Sequence, residues 1–187
     1  MMDNVTALQQ NSQKFTFFTC RYGLISFYCI VAGKDNIIHL TFAQEKHKRA
    51  IKLLVDNKQT VTKGKHEDFS FSSVFQDYFT GNLTRFPMKI NSPFISFGTD
   101  YQKQVWAGIA EIQYGQTRTY GDLARSIGRP GSARAVGSAC GANPLALIIP
   151  CHRVVGTQGL GGFAGGIAVK KKLLGLEKKP EKLHTKS

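Results

Sequence analysis

Acidic side chains are scarce in this sequence: 12 Asp and Glu stand against 25 Lys and Arg, a formal net charge of +13 over 187 residues. Such a surplus on a small protein points to a polyanionic partner, and nucleic acid leads. An anionic membrane surface fits less well, because no long basic amphipathic helix with an aromatic apolar face is visible. Long apolar runs are missing too; none approaches the roughly 20 residues that span a bilayer. The stretch Met1 to Asn11 is polar, carries Asp3 and has no apolar signal core, so the expected location is cytoplasmic. Cysteine is sparse and irregularly spaced, at positions 20, 29, 140 and 151, which predicts free thiols in a reducing compartment. Cys20 and Cys29, with His39 beyond, lack the close paired spacing of a metal site and read as lying on separate strands, so no metal is expected.

The chain is long enough for one large or two small domains with a real core. Phe15 to Cys20, Leu24 to Val31 and Ile37 to Phe42 are rich in aromatic and β-branched residues, with a turn at Gly33-Lys34-Asp35-Asn36. They predict a small antiparallel sheet. Gln44 to Val55 suits a surface helix with Ile51, Leu54 and Val55 inward, and Val74 to Phe79 reads as a second helical piece. Phe86 to Gly98, with Pro87 and Pro93, reads as an extended linker. Beyond it, Tyr101 to Ile112 has Val105, Trp106, Ile109 and Ile112 at helical spacing. Tyr120 to Ile127 and Ala133 to Ala142 flank the turn Gly128 to Gly131, with Ser132 as the expected N-cap. Two short helices joined by a glycine-containing turn make a helix-turn-helix candidate.

The second of these helices is chemically odd. Ser132, Ala133, Ala135, Gly137, Ser138, Ala139 and Gly141 are small, and the one long side chain is Arg134. Small residues let a backbone approach another surface closely, and an arginine there suits an exposed, probing face. Arg118, Arg125, Arg129 and Arg153 build a basic neighbourhood able to hold phosphates. Downstream, the apolar run Leu145 to Ile149 reads as a buried strand feeding Pro150-Cys151-His152-Arg153-Val154. A cysteine beside a histidine on a proline-stiffened turn is a candidate nucleophile with its base.

Together these residues resemble the O6-alkylguanine-DNA alkyltransferases, also called methylated-DNA–protein-cysteine methyltransferases. The resemblance runs from Gly98-Thr99 to Glu177. It includes Val105-Trp106, Thr119 to Ala124, Ala133 to Gly137, Asn143-Pro144, Ile149 to Val154, Gly162 to Gly166, and Lys170 through Leu174 to Glu177. The first half resembles the family only in its strand-then-helix layout. The implied fold is α+β, with a ribonuclease H-like supporting domain over 1–95 and a winged-helix-like domain carrying the helix-turn-helix over 96–187.

The resemblance implies DNA repair: an alkyl group on O6 of guanine, and also on O4 of thymine, passes irreversibly to Cys151, once per molecule and without a cofactor. His152 resembles the base that acts through a bound water, and Glu177 the carboxylate that orients it, a cysteine counterpart of the hydrolytic triad. Tyr120 matches the tyrosine that protonates guanine N3. The backbone N–H of Ala164 would donate to O6, and the carbonyls of Cys151 and Val154 would accept from the exocyclic amine. Many relatives carry serine and tyrosine where this chain has Ala164 and Phe163. Asn143 resembles a brace in the hinge before the active-site turn. The target base must leave its stack. The small-residue helix is then expected in the minor groove of double-stranded DNA, with Arg134 filling the gap. Tyr120, Gly121, Arg129, Ala133, Ala135 and Thr157 match positions that touch DNA, and the expected state is a monomer. A damage sensor without chemistry would not need Cys151, and a cysteine hydrolase would leave the basic helix-turn-helix without a role.

Overall fold

Alternation of apolar residues draws Phe15–Tyr22 (β1) and Ile25–Ala32 (β2) into an antiparallel hairpin, in which Cys20 faces Phe27 and Cys29 faces Phe18. The computed structural model describes residues 14–87 and 92–178. The stretch Met1 to Asn11 and part of Phe86 to Gly98 lie outside the described residues. Asn36–Thr41 (β3) pairs antiparallel with β2, and Val61–Lys63 (β4) runs parallel to β1, giving the order β3-β2-β1-β4. The sheet is therefore mixed rather than purely antiparallel; three residues are too few for β4 to show a period.

Gln44–Asp56 (α1) packs against β2 and β3 and buries His47, Ala50 and Leu54. The expected inward face differs: Val55 is 54% exposed. Positions 47, 50 and 54 follow the i, i+3, i+7 stripe, and Val55 sits about 100° round from Leu54. Ser72–Phe79 (α2) buries Phe75 and Tyr78 against the aromatic core. The expected linker holds one helical turn, Pro93–Ser96 (α3). Ser92 accepts from the N–H of Phe94 at 3.1 Å, and Pro93 presets the first helical φ.

In the second half, Asp100–Ala110 (α4) and Tyr120–Ser126 (α5) each start from a capping box, Thr99 with Gln102 and Thr119 with Asp122. Ala133–Ala142 (α6) comes after the turn, and Ile167–Glu177 (α7) ends the described chain. Ser132 holds the N-cap position of α6 but does not cap it: its hydroxyl donates to the carbonyl of Arg129 at 2.7 Å and accepts from Tyr101 at 2.9 Å. Arg118–Thr119 (β5) and Val154–Val155 (β6) form a parallel pair.

Leu145 to Ile149 is not a strand. Leu147 takes φ +70° and the N–H of Ile149 returns to the carbonyl of Leu145 at 2.8 Å, so the segment turns back on itself. Its start docks on the edge of β3, where Leu40 donates to Pro144 and accepts from Ala146, both at 2.8 Å. One hydrophobic cluster runs from Phe18 and Phe75 to Trp106 and Leu173, so the two halves share a core.

Candidate active site

Asn143 closes α6 and shapes the segment after it. Its Nδ2 donates to the carbonyl of Ile149 at 2.8 Å and its Oδ1 accepts from the N–H of Leu145 at 3.0 Å. That brace delivers Pro150 into a single 3-10 turn, Cys151–Arg153, whose three side chains are all buried. The opposing wall comes from α7, where Lys170, Leu173 and Glu177 form the inward stripe.

Glu177 is the hub. Its Oε1 accepts from His152 Nε2 at 2.7 Å, from the Tyr78 hydroxyl at 2.7 Å and from Arg153 Nη2 at 2.9 Å. Its Oε2 accepts from Arg153 Nε at 2.8 Å and from the N–H of Gly115 at 3.3 Å. Burial alone would push the carboxyl up, but the hydrogen bonds and charges of His152 and Arg153 outweigh it and hold Glu177 at about 2. Burial draws His152 below its ordinary value against the pull of Glu177, which favours the neutral imidazole. With the Nε2 proton on Glu177, Nδ1 is left as an acceptor, and among the described residues it has no hydrogen-bond partner.

Cys151 lies in the lining of a cavity of about 710 Å3, together with Tyr120, Ala133, Arg134, Gly137, Phe163, Ala164 and Lys46. Burial raises its thiol above the ordinary value, while a hydrogen bond from Asn143 and the cations Lys170 and Lys46 pull it back. The resting group is a thiol that must lose its proton to react. Tyr120 reaches the carbonyl of Gly162 at 3.5 Å, and burial raises its phenol too. Lys170 is fully buried; its Nζ donates to the carbonyl of Val154 at 2.6 Å and lies 5.8 Å from the centre of the Tyr120 ring. Phe163 packs on Phe42 of the first half, ring centres 5.3 Å apart. Among the described residues no group of three or more His, Cys, Asp or Glu is placed to hold a metal.

The family model described as the 6-O-methylguanine DNA methyltransferase DNA-binding domain matches residues 100–179. A methylated-DNA–protein-cysteine methyltransferase of Methanosarcina barkeri is 40% identical over 151 residues, covering 79% of this chain and 89% of that protein. This chain belongs to that methyltransferase family. A Mycobacterium tuberculosis methyltransferase of the same name is 52% identical over 102 residues, 54% of this chain and 59% of its own length. The chain thus spans less than two thirds of that relative. The crystal structure of the O6-methylguanine methyltransferase of M. tuberculosis superposes with a TM-score of 0.72 at 35% identity, covering 90% of this chain and 97% of that one. The OGT of the same organism in complex with DNA gives 0.68 at 36% identity, covering 88% and 92%.

In this methyltransferase-family chain the cavity gathers Cys151, Tyr120, Ala133, Arg134, Phe163 and Ala164, while His152, in the same turn as Cys151, is buried together with Asn143, Val154 and Glu177. Gly121 is the second residue of α5; Arg129, Ala135 and Thr157 are exposed and outside the cavity lining. Arg153 departs from its expected place among phosphate-binding cations: it is 6% exposed and bound to Glu177 and to the carbonyl of Ile112. A guanidinium next to a buried carboxylate gains more there than at a solvated surface. Tyr78 and Lys46 are not singled out by the sequence, and Lys170 enters there only as the start of the motif that ends at Glu177. The spacing of Lys170 with Leu173 and Glu177 is a usable signal, whereas nothing local ties Tyr78 to Glu177.

Proposed function

We propose that this methyltransferase-family chain repairs O6-alkylguanine in double-stranded DNA by moving the alkyl group to its own Cys151, with O4-methylthymine as a further substrate. The observation that carries the reading is the cysteine in the cavity wall, next in the chain to a histidine held by a buried carboxylate. His152 Nδ1 takes the thiol proton through a bound water, and Glu177, ionised at neutral pH, stabilises the imidazolium. The thiolate sulfur then bonds to the alkyl carbon as the bond from that carbon to O6 breaks. The electron pair passes to guanine, whose N3 takes a proton from Tyr120. The thioether product is inert, so each molecule turns over once.

Ala133, Arg134 and Gly137 share the cavity with Cys151, which supports a flipped base entering beside α6 from the minor groove, with Arg134 in its place. The N–H of Ala164 would meet O6. The carbonyls of Cys151 and Val154 would meet the exocyclic amine, the latter carbonyl held in place by Lys170. Gly121, Arg129, Ala135 and Thr157 would contact the DNA alongside Tyr120. The chain would work as a cytoplasmic monomer, with a ribonuclease H-like support over 1–95 and a winged-helix-like transfer domain over 96–187.

The test is intact mass after incubation with an oligonucleotide carrying O6-methylguanine. The expected result is a gain of one methyl group, localised to the peptide that holds Cys151 and absent in Cys151→Ala. No gain at stoichiometric protein would sink the reading.

A further inference from the structure

Beyond the residues already assigned, we propose that Lys46, supplied by the first half of the chain, is a positioning residue of the transfer site whose ammonium favours the thiolate form of Cys151. The inference rests on the reading of Cys151 as the nucleophile. Lys46 stands in the first turn of α1 and lines the same cavity as Cys151. Its Nζ donates to the carbonyl of Gly141 near the end of α6, and Gly141 is itself part of the cavity wall. The platform under it is fixed from two sides. Leu40 of β3 carries the segment leading to Pro150, and Phe42 packs on Phe163 and closes against Gly165, where a Cβ would come within 2.6 Å of its own.

The charge on Lys46 is available. Lys48 and Lys52 on the same helix pair with Glu45 and Asp56, whereas Lys46 has no acidic partner among the described residues. Lys46 is only half-buried and its bond to Gly141 is open to solvent, so its field at the thiol is partly screened yet stronger than that of a fully hydrated cation. Burial lowers the ammonium of Lys46 and the charge of Cys151 raises it, the reciprocal of its pull on the thiol. The other charged or titratable groups facing this pair are Lys170 on α7, Cys140 on α6 and Tyr120 on α5, with Arg49 and His39 beside Lys46. All of them stay in place in the test.

The experiment follows alkylation of the Cys151 peptide by iodoacetamide against pH, a reaction that needs no DNA. Lys46→Met removes charge and donor, Lys46→Gln keeps a donor without the charge, and Lys46→Arg keeps both. The expected result is an apparent thiol pKa raised by about half to one unit in the Met and Gln variants, which is about three- to tenfold slower labelling at pH 7. Arg should restore the wild-type profile. An unchanged profile in both neutral variants overturns the proposal, and so does loss of folding in both, since Lys46 would then be a staple to Gly141. A shifted profile without methyl transfer from O6-methylguanine would instead sink the repair reading and leave this one standing.

Discussion

Glu177 carries more of the site than its place at the end of a lysine-rich helix suggests. One carboxylate satisfies His152, Arg153 and Tyr78 at once, all within 2.9 Å. Glu177→Gln keeps the shape and removes the charge, which leaves the Arg153 guanidinium buried without its counter-ion. Breaking a buried pair from one side costs about 3–5 kcal/mol, so urea denaturation should detect the loss clearly. Under the proposed mechanism single-turnover transfer should also slow by about 10²-fold or more, since the imidazolium loses its counter-charge. A variant of wild-type stability would show that the carboxylate is not the counter-charge of Arg153. At this scale the Cys151-His152 pair was legible as a motif, whereas Glu177 entered only through the family resemblance. Tyr78 was not legible, because its place depends on how α2 packs over the second half.

The elements around the cavity work by being thin where Tyr120 needs room. Gly137 on α6 would bring a Cβ to 3.8 Å from the Tyr120 ring, an ordinary contact. Gly161 is different: it sits at φ +68°, and a Cβ there would lie 2.7 Å from the Tyr120 hydroxyl. Gly161→Ala therefore meets both backbone strain and a displaced phenol. The expected outcome is a stability loss of about 1–3 kcal/mol, and, on the proposed role of Tyr120 as the acid, transfer slowed about tenfold or more. Gly159→Ala, in the same loop but with nothing within 4 Å of the added carbon, should stay near wild type in thermal unfolding and single-turnover rate. Equal behaviour of the two variants would refute the close approach. The small residues of α6 were visible in the sequence; that the loop after β6 is equally constrained was not.

Across the whole molecule, the first half brings a pair of histidines that the transfer site does not use. His39 on β3 and His47 on α1 are buried, and among the described residues neither ring has a hydrogen-bond partner. Burial takes His39 down to about 3 and His47 to about 4, from 6.5. Between those values and 6.5 the unfolded chain binds protons that the folded one refuses, so stability falls as pH drops through that window. Glu177, held at about 2 against 4.5, adds a loss below pH 4.5 as its carboxylate is titrated. The urea midpoint should be flat only at about pH 7 to 8. Above about pH 9 it should fall, because the unfolded chain gives up thiol protons that Cys20 and Cys140, both pushed up to about 12 by burial, retain. Towards pH 4.5 it should decline steadily, and there the histidines dominate. The double substitution His39→Phe, His47→Phe should flatten that decline, and an unaltered slope would discard the histidines as its cause.

The turn residues, the small-residue helix and the Cys151-His152 pair were all readable from the chain alone. Each depends on groups a few residues apart, where backbone angles and side-chain reach leave few alternatives. Leu145 to Ile149 misled for the opposite reason: an apolar run says that a segment is buried, not whether it runs straight, and the edge of β3 decides that. Tertiary structure alone joined Tyr78 to Glu177 across 99 residues and Lys46 to Gly141 across 95. Such contacts depend on which faces the shared core forces together, and that choice is made by packing rather than by any local pattern. The scarcity of acid, plain in the composition, gains its meaning only in the fold. Among so few carboxylates, Glu177 is kept inside the protein, holding a histidine and an arginine.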